Sequence, residues 1–329
     1  MDQRSQALID ELRSAGLSRE AIDAAWPTWW SDEAAKSPSA QAELRFALSR
    51  NLGLSPQSLL GERVEFVWDD SARFKNLTAN EPISRGALAS FGVAVARLLV
   101  RATPARLSVT GVPAEALRSS VIKARGMVDL VGLLSTCWSL GVPVIHLRVF
   151  PLPAKSMRAM VVEVGGRHAV LLGRDANYPA PVLFTLAHEV GHAALGHTAG
   201  EAAIVDVGDF TVSAEDNEER DADTYAMQLL TGESAPAITV STDRFSAQSL
   251  AQQCLSEGPP RGIEPGTLAL CVGHVQNNWA VANAALRVIY TESKPVWQEV
   301  NKIATQQLDW NALSYESANY VRALLGGHD

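Results

Sequence analysis

An α+β fold is what this sequence predicts, and three observations support that class. Most strand-like segments fall together in one block, residues 144–172, instead of alternating with helices. Two of them, 158–164 and 168–172, flank Gly165-Gly166, a pair that supplies the positive φ angles of a tight hairpin turn. Helical periodicity dominates on both sides of the block.

The chain has 329 residues, enough for a sizeable core, and is 47% hydrophobic and 19% charged, an ordinary globular composition. Its net charge of −8 weighs against direct nucleic-acid binding, because phosphate contacts need a concentrated basic surface. Three cysteines, Cys137, Cys254 and Cys271, form no C-x-x-C pair and no disulfide framework, so a reducing cytoplasm is the expected location. The opening stretch lacks the apolar core of a signal peptide. The most apolar run, residues 86–100, contains Arg97 and is too short for a membrane span, so it reads as a buried helix.

Leu8, Ile9 and Leu12 fall at helical spacing, Gly16 stops that helix, and Ser18 opens a second. Trp26, Trp29 and Trp30 then crowd one turn, as a small local core or, alternatively, a partner-docking surface. Residues 42–51 form a helix ended by Gly53, and Ser55-Pro56 opens another. The run 47–61 looks like the middle of a helix-turn-helix. Its second part has no Arg or Lys in 56–60, so two packed helices are the plainer reading. Residues 64–68 (VEFVW) read as a strand. Helices follow within 81–103, over 113–123 and over 128–140, where Gly141 closes the last. Residues 144–150 are a strand ahead of the hairpin. Pro179 and Pro181 mark a helix entry, and 198–211 reads as a loop. Later helices fall over 217–230, 247–256, 265–287 with a break, and 294–307. The expected organisation is a helical region over 1–114, a core over 115–235 and a helical region over 236–329.

The chemistry concentrates in FTLAHEVGHAALGH, residues 184–197. It contains H-E-x-x-H. Residues four apart share a helix face, so His188 and His192 can present two imidazoles to one ion. Glu189 lies about 100° further round. It is poorly placed as a ligand but well placed to take a proton from a water that the ion activates. Gly191 would allow a second backbone to approach. A third histidine in the longer H-E-x-x-H-x-x-G-x-x-H form fails, because Gly196 and His197 are out of register by one. The other source of a third ligand is a glutamate on the following helix. Glu219 and Asp223 lie four apart there, so Glu219 can ligate while Asp223 accepts the outer N–H of a ligand histidine. Glu218 is the main rival to Glu219, with Glu215, Asp216 and Asp221 weaker ones. Ala222 and Ala226 are small enough to pack on the H-E-x-x-H helix. His197 reads as a helix-end histidine near the site, and His146, His168 and His274 as structural ahead of catalytic. Tyr178, Tyr225, His168 and His274 are candidate donors to a developing oxyanion. Zn2+ is the default ion for such a set, with manganese or iron open.

The H-E-x-x-H segment followed by E-x-x-A-D-x-Y-A at 219–226 resembles the ImmA/IrrE family of bacterial metallopeptidases. The upstream GVPVIHL and the RAMVVEV/HAVLL hairpin are similar too, and the likeness covers residues 115–235. The resemblance implies a zincin-like core, His188, His192 and Glu219 as ligands, and Glu189 as the base. It also implies a protein substrate, a helix-turn-helix transcriptional repressor in a stress or mobile-element response. Peptide would add to a strand edge, for which residues 158–163 are the candidate. The alternative is a metal-containing regulatory protein that docks a partner through the Trp26–Trp30 turn or the C-terminal helices without proteolysis. A DNA-binding regulator resting on residues 47–61 is the third reading.

Overall fold

The computed structural model describes residues 3–55, 65–67, 72–75, 82–152, 157–199, 203–206, 217–234 and 246–327. Among the described residues five strands form one sheet: β1 (Ala72–Lys75), β2 (Val144–His146), β3 (Ala159–Val164), β4 (Arg167–Leu172) and β5 (Ala203–Asp206). The helices are α1 (Gln3–Ser14), α2 (Arg19–Ala25), α3 (Pro38–Leu52), α4 (Pro82–Arg101), α5 (Ala114–Arg125), α6 (Leu130–Ser139) and α7 (Pro179–Leu195). They continue with α8 (Asn217–Thr231), α9 (Ala247–Glu257), α10 (Pro265–Val275), α11 (Trp279–Ile289), α12 (Val296–Gln307) and α13 (Tyr315–Leu324). The α+β class holds.

The hairpin forms where the two glycines place it. Gly165 and Gly166 have φ of 58° and 75°, and the pairing runs from Val164↔Arg167 back to Ala159↔Leu172. The sheet order is β1-β5-β3-β4-β2. β3 is antiparallel to both of its neighbours, while β1 runs parallel to β5 and β2 parallel to β4.

Strand residues alternate between two cores, as the period of two requires. Met160, Val162, Ala169, Leu171 and Val205 face a core built with α1–α4 and the chain's last two helices. Ala159, Val161, Val170, Leu172 and Ile204 face a second core built with α5–α8. The sheet is therefore covered on both faces, which explains its near-continuous apolar strands. A Cβ at Gly92 would overlap Met160 Sδ, so glycine lets α4 lie close on the sheet. α9, α10 and α11 close a third cluster, which includes Ala180 from the start of α7.

Several elements differ from expectation. In VEFVW, Phe66 makes only an isolated bridge to Leu54, because the segment folds back on the end of α3, with Val67 N–H donating to Gly53 O at 3.1 Å. Val64 and Trp68 lie outside the described residues, as do 56–61 of the helix-turn-helix-like run. The loop expected over 198–211 contains β5, whose four residues are too few to show a periodicity. β2 is shorter than 144–150 because Arg148 N–H turns away to Leu324 O at 2.9 Å. Residues 158–163 are no edge: β4 and β5 occupy both sides of β3. The break in 265–287 falls between α10 and α11, where Asn277 takes φ 50°.

The tryptophan turn is mainly internal. Trp26 and Trp30 pack against the first core with ring centroids 6.3 Å apart, and Trp30 Nε1 donates to Ser5 Oγ at 3.1 Å. Among the described residues, no helix is long and apolar enough to cross a membrane.

Candidate metal centre

α7 carries the H-E-x-x-H residues. Tyr178 caps its start and Pro179 stands in the first turn, where a missing N–H costs nothing. The helix is buried nearly all round: His188 is 7% exposed, His192 1% and Glu189 0%. α8 crosses it at Gly191, where an added Cβ would sit 3.1 Å from Ala222 O and 3.3 Å from Tyr225 Cβ. Glycine at 191 and alanines at 222 and 226 thus let the two backbones approach, as the sequence suggests.

That crossing brings Glu219 to the histidines. Glu219 Oε1 is 3.0 Å from His192 Nε2, and Oε2 is 3.4 Å from His188 Nε2. The two Nε2 atoms are 3.0 Å apart. One donor atom from each residue lies within 4.8 Å of the others, so among the described residues this trio could hold a metal ion. Of the rival carboxylates, Glu218 is half-buried and Asp221 exposed, both outside the trio; Glu215 and Asp216 lie outside the described residues.

The outer ring nitrogens are also engaged. His188 Nδ1 is 2.8 Å from Asp223 Oδ1, one helical turn beyond Glu219. His192 Nδ1 is 2.9 Å from His197 Nδ1. His197 gets there by a backbone reversal: Gly196 takes φ 73° and the His197 N–H returns to His192 O at 3.0 Å. An imidazole that ligates through Nε2 keeps its proton on Nδ1. His188 would then donate to Asp223, and His192 to His197.

The electrostatics favour a positive charge at the centre. Burial opposes a charged His188, but hydrogen bonds to Asp223 and Glu219 outweigh it and raise its pKa to about 10. Burial likewise opposes a charged Glu219, yet hydrogen bonds from His188 and His192 hold its carboxyl well below the usual range. Two imidazoles and a carboxylate converge with their lone pairs inward, a donor set that fits a divalent cation of the zinc type. Thiolates do not compete: Cys137, Cys254 and Cys271 are buried, which pushes each thiol up to about 12.

Each of the four candidate oxyanion donors has contacts of its own. Tyr225 donates its hydroxyl proton to Val112 O at 2.7 Å. His168 Nε2 lies 2.9 Å from Thr198 Oγ1, which in turn donates to Glu163 at 2.8 Å. Tyr178 stacks on Tyr290 with centroids 5.2 Å apart, and His274 lies between Phe184 and Trp279. His146 sets both ring nitrogens against backbone carbonyls, of Leu147 and Arg174. The contact that sequence reasoning missed is His197 on His192; the glycine directly before His197 was its signal, since a helix-ending glycine turns the next residue back. Comparison with family models, with curated proteins and with solved structures finds no match.

Proposed function

We propose that the chain is a zinc-dependent endopeptidase with a zincin-like site, as its resemblance to the ImmA/IrrE metallopeptidases implies. The observation that carries this reading is the convergence of His188, His192 and Glu219 beside a fully buried Glu189. Bound Zn2+ supplies a Lewis acid that polarises a peptide carbonyl and acidifies a water. Glu189 would accept a proton from the attacking water on its carboxylate as the new C–O bond forms, and would pass it to the leaving amine nitrogen as the C–N bond breaks. Its burial excludes competing water and strengthens its electrostatic effect on the reacting atoms. Asp223 and His197 hold the imidazole orientations through the Nδ1 contacts. A helix-turn-helix repressor is the proposed substrate, in a cytoplasmic setting.

The test compares wild type with Glu189→Gln. The variant should bind Zn2+ stoichiometrically by elemental analysis and yield no cleavage products in cell proteomics. Cleavage at the wild-type rate by Glu189→Gln would overturn the mechanism. Restoration of the cellular phenotype by both Glu189→Gln and Glu219→Ala would favour partner docking without proteolysis.

A further inference from the structure

A cavity of about 590 Å³ lies between the start of α7, the ends of β3 and β4, and helices α10 and α11. Thr185 is on its wall. Thr185 precedes His188 by three residues and Glu189 by four, so helical geometry places the cavity one turn along α7 from the H-E-x-x-H residues.

The lining has a consistent character. Leu172, Val182, Leu270 and Leu286 make it apolar, with Trp279 as the aromatic wall. Three guanidinium groups join them: Arg158, Arg174 and Arg287. Arg158 is only 7% exposed, and its Nε reaches Thr185 Oγ1 at 3.3 Å, which ties this cation to the face of α7. Arg174 and Arg287 are exposed at the rim. The single acidic side chain of the lining, Asp175, is ion-paired with Arg148. The cavity therefore offers an apolar wall lined with three guanidinium groups and one carboxylate, the guanidiniums being planar donors suited to a carboxylate ligand.

We propose that this cavity is a carboxylate-binding subsite of the peptide cleft, taking an acidic side chain or a free C-terminus next to the scissile bond. It rests on the peptidase reading. The closest ligand chemistry is an acidic peptide whose apolar neighbours lie on Trp279 and Val182 while its carboxylate meets the arginines.

The test uses Zn2+-loaded full-length Glu189→Gln protein and fluorescence anisotropy. The probes are short fluorescein-labelled alanine–leucine peptides with central glutamate or central glutamine, each with a free or an amidated C-terminus. A carboxylate-bearing probe should bind about tenfold tighter than the amidated glutamine peptide, the scale of charge-assisted hydrogen bonds. Preference for glutamate identifies a side-chain subsite, and preference for the free end a C-terminal one. Arg174→Glu and Arg287→Glu, added singly, should each reduce that preference. Equal binding of all probes, no binding of any, or a preference that survives both arginine changes would overturn the proposal. The two readings separate in the wild-type chain: cleavage without carboxylate preference removes the subsite alone. Carboxylate preference without cleavage of any of these probes or of cellular protein removes the peptidase and leaves an anion-binding cavity.

Discussion

Asp223 Oδ1 sits 2.8 Å from His188 Nδ1, one turn along α8 from the Glu219 carboxylate that meets the same imidazole at its other nitrogen. One helix thus grips both ends of one ring. His192 is held at its outer nitrogen by a different device, the His197 ring behind a left-handed glycine.

Asp223→Ala and His197→Ala should each weaken Zn2+ binding by roughly 10- to 100-fold, the range for lost outer partners of ligand histidines. Competition against a fluorescent chelator measures this. His197→Asp, which keeps an acceptor, should recover most of the loss. Unchanged affinity in His197→Ala would show the ring pair to be incidental.

Gly191→Val should separate α7 from α8, because even a Cβ would lie 3.1 Å from Ala222 O. Overpacking of this kind costs about 1–3 kcal/mol. Urea unfolding should show that loss, and Zn2+ affinity should fall with it as Glu219 is carried away from the histidines. Native affinity in the folded variant would mean the crossing is not what sets the ligand geometry.

Tyr290→Phe should destabilise the chain by about 1–3 kcal/mol, since the hydroxyl serves a charged partner. It donates to Glu264 Oε1 at 2.8 Å, while Glu264 also caps α10 through Gly266 and Thr267 N–H. The Tyr290 hydroxyl oxygen in turn accepts from Ala180 N–H at the start of α7. Thermal unfolding of the variant checks the figure.

His146 gives a pH signature. Burial lowers its pKa below the ordinary value, with the hydrogen bonds to the carbonyls of Arg174 and Leu147 opposing only in part. A depressed histidine contributes stability above its unfolded pKa of about 6.5, and that contribution is lost as pH falls toward the folded value. The stability difference between wild type and His146→Gln should therefore shrink in urea titrations run from pH 7.5 down to 5.5. A difference that is constant or grows on acidification contradicts the assignment.

Much of the site was legible in the sequence because helices translate spacing into geometry. His188 and His192 had to share a face, and so did Glu219 and Asp223, four apart on the next helix; the choice of Glu219 over Glu218 came from the fold. The hairpin was legible for a similar reason, since Gly165-Gly166 dictates its own turn. What escaped was long-range or short. β5 is four residues and acquires its identity only by pairing with β3, and that pairing moved residues 158–163 from the expected edge to the middle of the sheet. The cavity beside α7 escaped because its walls come from positions as distant as Arg158 and Arg287.

The Tyr290 hydroxyl holds the first turn of α7, and the Gly196 reversal fixes its last. Those two contacts stand at opposite ends of the helix. A slip of one residue would move each imidazole about 1.5 Å along the axis and swing it about 100° away from its oxygen partner. Tyr290, at the end of α11, thus bears on the helix that carries His188 and His192. Damage to that contact should register as a mistuned ion affinity before it registers as an unfolded protein.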